Sequence, residues 1–283
     1  MFIKLKDIFT AGEALKAAHL DWAAEPVGLV TTNGLDVPDH KAIVHSTSKK
    51  ILGIVGTRYE VLQNTAALGI CDVFAQQYQA TYETAGCLRE GRKVFLQLKV
   101  GGADEVRKGD LISRYLTVLN SHDGSSSVRI FATPIRIICT NTLNMALRNI
   151  EYGVSVRHTE SMDDRLREAF KAFNLTQAHF VKFKEMAQFL ARKQCDRKMV
   201  ETFLNDLMPD TGSTRNDNQR KRVIELFEGG KGNGQGSAWD LMNGATEYAD
   251  HFRTSDPEKR LESAMFGSGA QLKQRAFELA MAL

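Results

Sequence analysis

Between Tyr115 and Ala132 the chain reads YLTVLN, SHDGSS, SVRIFA: two alternating apolar runs joined by a short polar segment. Alternation with period two puts every second side chain on one face of a strand. Asp123-Gly124 supplies the turn chemistry of an antiparallel hairpin. A second pair of runs, in TYETAGCLREGRKVFLQLKV (81–100), alternates less strictly around Arg89-Glu90-Gly91-Arg92. Upstream, Ala42–His45 and Ile51–Val55 read as strands joined by a turn at Ser48–Lys50. A helix over Ala66–Tyr78 follows, with Leu68, Cys71, Phe74 and Ala75 at three- to four-residue spacing and Asn64 or Thr65 as N-cap. Pro134 predicts a bulge or edge in the extended stretch that continues from the hairpin, and Thr140 or Asn141 would cap a short helix over 142–148.

From Ser161 the periodicity becomes helical, with Met162, Leu166, Phe170, Phe173, Phe180, Phe183 and Met186 on one face. Further helices are predicted at Val223–Phe227, Ala238–Phe252 and Gln271–Ala282. The expected fold class is therefore α+β: an antiparallel hairpin sheet with packed helices over residues 1–158, then a helical part over 159–283. The glycine-rich segment 229–237 is expected to be a mobile loop. In the helix after it, Glu247 and His251 are expected at the surface, with Trp239 and Tyr248 buried.

Composition removes several classes. Of 283 residues, 43% are hydrophobic and 25% charged, proportions that support a folded core. No apolar run approaches the roughly 20 residues of a membrane span, and the first residues lack a signal-peptide pattern. Cys71, Cys87, Cys139 and Cys195 are widely spaced without a CxxC pair, which fits thiols in a reducing cytoplasm. The net charge of +3 is unevenly distributed: residues 83–148 carry 10 Lys/Arg against 6 Asp/Glu, and the flanking segments are close to neutral.

The chemistry-bearing motifs are few. Lys231 lies within the glycine-rich segment but is followed by Gly232, and a helix rather than a strand precedes it, so the P-loop pattern fails. His122-Asp123, and Glu247 with His251, lack further metal ligands at workable spacing. No GxSxG elbow or Cys/His protease pattern occurs. No catalytic residue, metal or cofactor is expected. What remains is cationic: Arg58-Tyr59 in a loop, Arg89, Arg92 and Lys93 at one hairpin turn, Arg129 and Arg136 on the next extended segment, and Arg157 at the end of the core. Arg129 and Phe131 would share one face of their strand, and Val128 and Ile130 the other. Cations along a phosphate backbone, with aromatic rings for base stacking, are what single-stranded nucleic acid demands.

Taken together, GIVGTRYEVLQN, YETAGCLREGRKVFLQLKV, LTVLNSHDGSSSVRIFATPIRIICTNTLNMAL and SVRHT resemble the phage/plasmid-related protein family, long labelled a domain of unknown function. AWDLMNGATEYADH, MFGSG and Lys273 are similar to that family's tail. The order of elements, a helix followed by Arg-rich hairpins, also resembles the single-strand annealing proteins of the Rad52, Red-beta and RecT types. These resemblances imply an ATP-independent protein that binds and anneals single-stranded DNA as a homo-oligomeric ring or filament, with a host single-strand-binding protein as a further partner. Arg58, Arg89, Arg92, Arg129 and Arg136 are then the expected phosphate contacts. If about four phosphates are neutralised per protomer, log affinity falls against log salt with a slope near −2.8. Two other readings stand beside this one: a metal-dependent nuclease using His122, Asp123 and Glu83, and a non-catalytic protein that binds a host protein.

Overall fold

The structure, a computed structural model, describes residues 2–136, 141–142, 153–156 and 174–283. The fold is α+β with two antiparallel sheets, and its helices are concentrated in the C-terminal part. The strands are β1 (Phe2–Lys4), β2 (Ala24–Val30), β3 (Asp36–His45), β4 (Ile51–Gly56), β5 (Thr81–Leu88), β6 (Lys93–Arg107), β7 (Asp110–Ser121), β8 (Val128–Arg136), β9 (Asn141–Thr142) and β10 (Gly153–Val156). The larger sheet runs β1-β5-β6-β7-β8-β10, with β9 also paired to β8; β2-β3-β4 form the smaller one.

The described residues divide into two compact units that take turns along the chain. The first holds 2–101, 115–132, 153–156 and 174–176; the second holds 102–114, 133–136, 141–142 and 177–283. A single boundary after residue 158 does not describe this interleaving, because the tip of the β6–β7 hairpin belongs with the C-terminal helices. The predicted helix over 142–148 lies outside the described residues apart from Thr142, which is in β9. The helical stretch expected from Ser161 is described from Asn174 onward.

In the first unit, helix α1 (Ala11–Ala17) is closed by a capping box between Thr10 and Glu13. Helix α2 (Asn64–Tyr78) buries Leu68, Cys71 and Phe74 of the predicted stripe, with Ala67 beside them, while Ala75 is partly buried. That stripe packs with Val94, Leu96, Leu98 and Val100 of β6, Leu116 and Val118 of β7, and Val128 and Ile130 of β8. On β8, Arg129 and Phe131 alternate to the opposite face, as period two requires. Phe95 and Leu119 are buried as well, so β6 and β7 are covered on both faces and read as nearly continuous apolar runs. The small sheet is longer than its apolar runs, because β3 begins six residues before Ala42, in the polar DVPDHK.

The second unit contains α3 (Asn174–Arg192) from Gln177 onward, α4 (Arg197–Leu207), α5 (Thr214–Gly229), α6 (Ala238–Glu247), α7 (Pro257–Phe266) and α8 (Ser268–Ala282), with a π-helical turn at Tyr248–Phe252. Every residue of α6 is buried. Most of its polar side chains are bonded: Asn243 donates to the Trp239 carbonyl, Thr246 to Met242, and Trp239 Nε1 to Asp110 at 2.9 Å, while the Asn243 Oδ1 is buried without a hydrogen bond. Gly244 lets α5 approach closely, since a Cβ there would lie 2.8 Å from the Phe227 nitrogen. Lys273 and Asp250 form a buried ion pair at 2.6 Å. No helix of the described residues is long and apolar enough to cross a membrane.

Segment 229–237, expected from its glycines to be a mobile loop, is tied to the rest of the unit by hydrogen bonds. The Arg107 guanidinium donates to the Gly232 carbonyl at 2.6 Å and pairs with Asp240 at 2.5 Å. Asp240 accepts from the Gln235 and Ser237 backbones, and Glu247 from the Lys231 backbone. The Lys231, Gln235 and Ser237 amides, of the kind a phosphate-binding loop offers to a ligand, are thus committed to the protein's own carboxylates. Glu247 is buried for the same reason, not exposed as its helix position implied, while His251 is exposed and Trp239 and Tyr248 are buried as expected.

Candidate nucleic-acid interface

Three turns of the first unit converge on one polar and aromatic cluster. From the start of α2, the Asn64 amide nitrogen donates to the carbonyls of Leu20 (2.9 Å) and Trp22 (3.4 Å). Its oxygen is therefore turned to His122 Nε2, 2.9 Å away, which must carry the proton. Asn64 or Thr65 was expected to cap the helix; Gln63 holds the N-cap position, and the Asn64 side chain serves these long-range bonds instead. The His122 amide donates to the Arg92 carbonyl at 2.7 Å, which fastens the β7–β8 turn to the β5–β6 turn. Next to it, the Tyr59 hydroxyl donates to the Ser121 carbonyl at 2.6 Å, and Asn120 donates to Leu62 at 2.8 Å. Trp22 lies between His45, stacked at 4.0 Å, and His122, edge-on at 5.2 Å.

Asp123 accepts from Ser121 Oγ and the Ser125 amide, an arrangement that fixes the β7–β8 turn. Burial pushes its carboxyl pKa up, but those hydrogen bonds and nearby Lys93 prevail and hold it below the usual carboxylate value. Gly53 of β4 lies directly over this turn: a Cβ there would sit 2.5 Å from Asp123 Cα. Burial is also the main cause of a lowered His45 pKa, with Lys50 adding to it. His45 Nδ1 accepts from the Thr47 and Ser48 amides at 3.3 Å, so its neutral form fits the turn.

The sign of the resulting pH effect follows. The folded state holds His45 below its ordinary value of 6.5, so the unfolded chain takes up the proton first as pH falls. The His45 contribution is complete above about pH 6.5 and is lost below it. Between pH 7.5 and 5.5 the urea midpoint should drop further in the natural protein than in His45→Gln. Equal drops would remove His45 from the account.

Around the cluster stand the expected cations. Arg58, Arg89 and Arg92 are exposed; Lys93 and Arg129 are half-buried. Arg58 precedes Tyr59, which is tied to Ser121, and the Arg92 carbonyl is tied to His122, so their backbones are anchored to successive residues. Arg129 lies on the sheet face opposite α2, behind the turn. The side chain of Arg136 and the whole of Arg157 lie outside the described residues. Tyr59 is not a free stacking platform: it is mostly buried against the core with its hydroxyl engaged. Trp22, His45 and Lys50 carry no functional signal in the sequence: Trp22 lies in a weakly periodic segment, and His45 and Lys50 look like the end of a strand and a turn residue.

The β5–β6 turn has an unusual backbone. Arg89 (φ 50°), Glu90 (φ 57°) and Gly91 (φ 98°) are successive left-handed residues, two of them with side chains. At Gly91 a Cβ would also meet the Trp22 ring at 3.0 Å. Left-handed backbone costs a non-glycine residue about 1–2 kcal/mol, and such strain concentrates at functional sites.

His122 is fully buried and bonded to Asn64, and Asp123 is bonded within its turn, so both have structural partners. Among the described residues no cluster of three or more His, Cys, Asp or Glu could hold a metal ion.

Residues 51–267 match the profile of the family described as Domain of unknown function (DUF932). The match spans well over half of the chain, and the protein belongs to that family. No curated protein and no solved structure matches it. Many of the resembling motif residues have structural work: Gly53, Tyr59, Asn64, Gly91, Asn120, His122 and Asp123 build the turn cluster. Trp239, Asp240, Asp250 and Lys273 hold the second unit together.

Proposed function

We propose that this chain is a single-stranded DNA-binding and annealing protein of a phage or plasmid, acting without ATP as an oligomeric ring or filament in recombination or DNA maintenance. The observation that carries the reading is the gathering of Arg58, Arg89, Arg92 and Lys93 around one rigidly bonded turn cluster, two of them beside or within strained left-handed backbone. Exposed arginines on a fixed frame suit phosphate contacts that hold a strand extended while its base edges remain open to a complement. Annealing is downhill, so no cofactor or catalytic residue is required. A cytoplasmic site of action and a host single-strand-binding protein as partner belong to the same proposal.

The test is binding of nuclease-treated protein to a fluorescent oligonucleotide across salt concentrations, with particle mass measured on the same samples. Salt-sensitive binding with a slope near −2.8 per protomer and a large discrete oligomer are expected. Arg58→Gln with Arg92→Gln should flatten the slope by roughly 1.4, about 0.7 for each lost contact. A monomer without DNA affinity would overturn the reading.

Arg89→Gly separates function from stability. Relief of its left-handed φ should stabilise the fold by about 1 kcal/mol, while loss of the guanidinium weakens DNA binding. A variant with both properties unchanged would take Arg89 out of the interface.

One observation favours the non-catalytic interaction reading. On the small sheet Val27 and Ile54 flank Ala42 in register, with Ile51 nearby, and all three large side chains are about half exposed. An apolar sheet face of this kind fits a protein surface better than a phosphate chain. If Ile54→Asp abolishes a stoichiometric host complex, and the chain has no DNA affinity, the interaction reading replaces annealing.

A further inference from the structure

A base has a π-face, and proteins hold it by stacking an aromatic ring or a guanidinium plane against it. The second unit has both kinds of plane at the π-helical turn Tyr248–Phe252 that follows α6. Widened turns of this kind are frequent at functional sites. Tyr248 is buried, whereas Phe252, four residues on, is 44% exposed. The Arg222 guanidinium of α5 lies over the Phe252 ring, 4.1 Å from its centroid, in a cation–π pair.

Three arginines gather around this turn. Arg222 also donates to Glu225 at 2.9 Å, and its side chain remains 41% exposed. Arg253 donates to the Ser268 carbonyl at 3.0 Å, which holds it beside the start of α8. Arg215 is exposed in the first turn of α5, where the helix dipole favours anions and gives a cation no local advantage. Burial raises the Tyr248 pKa, and the charges of Arg253 and Arg215 act against it, so both lie near that hydroxyl.

Resting on the DNA-binding reading above, we infer that this turn is a second contact for single-stranded nucleic acid, with a base stacked on the Phe252–Arg222 layer and neighbouring phosphates on Arg215 and Arg253. The spacing selects a strand over a free nucleotide. Arg215 and Arg222 share one face of α5, seven residues and about 10 Å apart along the axis, further than one phosphate reaches. Phosphate contacts by themselves let a strand slide. A stacked base gives it a fixed seat.

The experiment crosslinks the full-length, nuclease-treated protein to a dT oligomer carrying 5-iododeoxyuridine, whose photoreaction favours rings stacked on the halogenated base. The crosslink is expected on the peptide that contains Phe252. Phe252→Leu should remove it and weaken dT binding about fivefold or more, the worth of a stacked base, while Phe252→Tyr keeps both. Arg215→Gln, at an exposed position, should lower the salt slope by about 0.7 with no change in thermal stability. If Phe252→Leu fails to fold, the crosslink in the natural protein and the Arg215→Gln slope decide. A crosslink mapped elsewhere would overturn the inference. So would dT binding that ignores Phe252→Leu and Arg215→Gln but still weakens in Arg58→Gln with Arg92→Gln, and the DNA-binding reading would then stand without this site. If no strand binds at all, the DNA-binding reading fails and the inference falls with it.

Discussion

Asp240→Ala should cost the second unit about 3–5 kcal/mol, the usual penalty for removing one partner of a buried ion pair. Asp240 is fully buried, and its carboxylate accepts from Arg107, from the Gln235 and Ser237 amides and from the Ser237 hydroxyl. Alanine would leave a guanidinium that is 13% exposed with Asp110, 3.4 Å away, as its remaining counter-charge, and would strand the Gln235 and Ser237 amides of the glycine-rich loop. Urea unfolding of Asp240→Ala against Glu201→Ala measures this. Glu201 pairs with Arg197 at the surface, where such a pair contributes at most about 1 kcal/mol. Equal shifts in the two variants would mean that the Arg107–Asp240 pair does not organise the loop.

Gly53→Ala should destabilise the first unit by about 2–3 kcal/mol, the upper part of the range for forcing atoms into a packed site. The new methyl would fall 2.5 Å from Asp123 Cα and 3.0 Å from its carbonyl carbon, and backbone cannot swing aside as a flexible side chain can. The β7–β8 turn has to shift, and with it the His122–Arg92 bond that positions the β5–β6 arginines. DNA affinity should therefore fall together with stability. Gly28→Ala, on β2 at the other edge of the small sheet with nothing within 4 Å of its Cβ, serves as the control and should stay within about 0.5 kcal/mol. If the two alanines behave alike, the contact of β4 with the turn is not tight.

The hairpins and α2 were legible because each carries its own period: alternation in β7 and β8, and Leu68, Cys71 and Phe74 in α2. The face assignment of Arg129 and Phe131 against Val128 and Ile130 followed from the same parity. What was not legible depends on groups far away in sequence. Asn64 looks like a cap in any local window; the carbonyls of Leu20 and Trp22 and the ring of His122 give it a different task. Glycine content announces backbone freedom in 229–237, but whether that freedom is used up depends on Arg107, more than 120 residues earlier. Glu247 was misplaced for the same reason, since its partner is a loop amide. At the candidate interface, residue type pointed to Arg58, Arg89 and Arg92, but composition could not tell that the neighbouring rings would face inward.

The order in which this chain is made has a consequence for how it folds. Arg107 leaves the ribosome 133 residues before Asp240, and Asp110 waits 129 residues for Trp239. Until α6 is synthesised, Arg107 and Asp110 at the tip of the β6–β7 hairpin lack their partners Asp240 and Trp239. Contacts of such long separation make folding slow, and a half-made chain exposes what it will later bury. A ribosome stalled after residue 158 would therefore carry a hairpin whose tip has no fold to join. Synthesis of α6 is the event that gives the tip its partners.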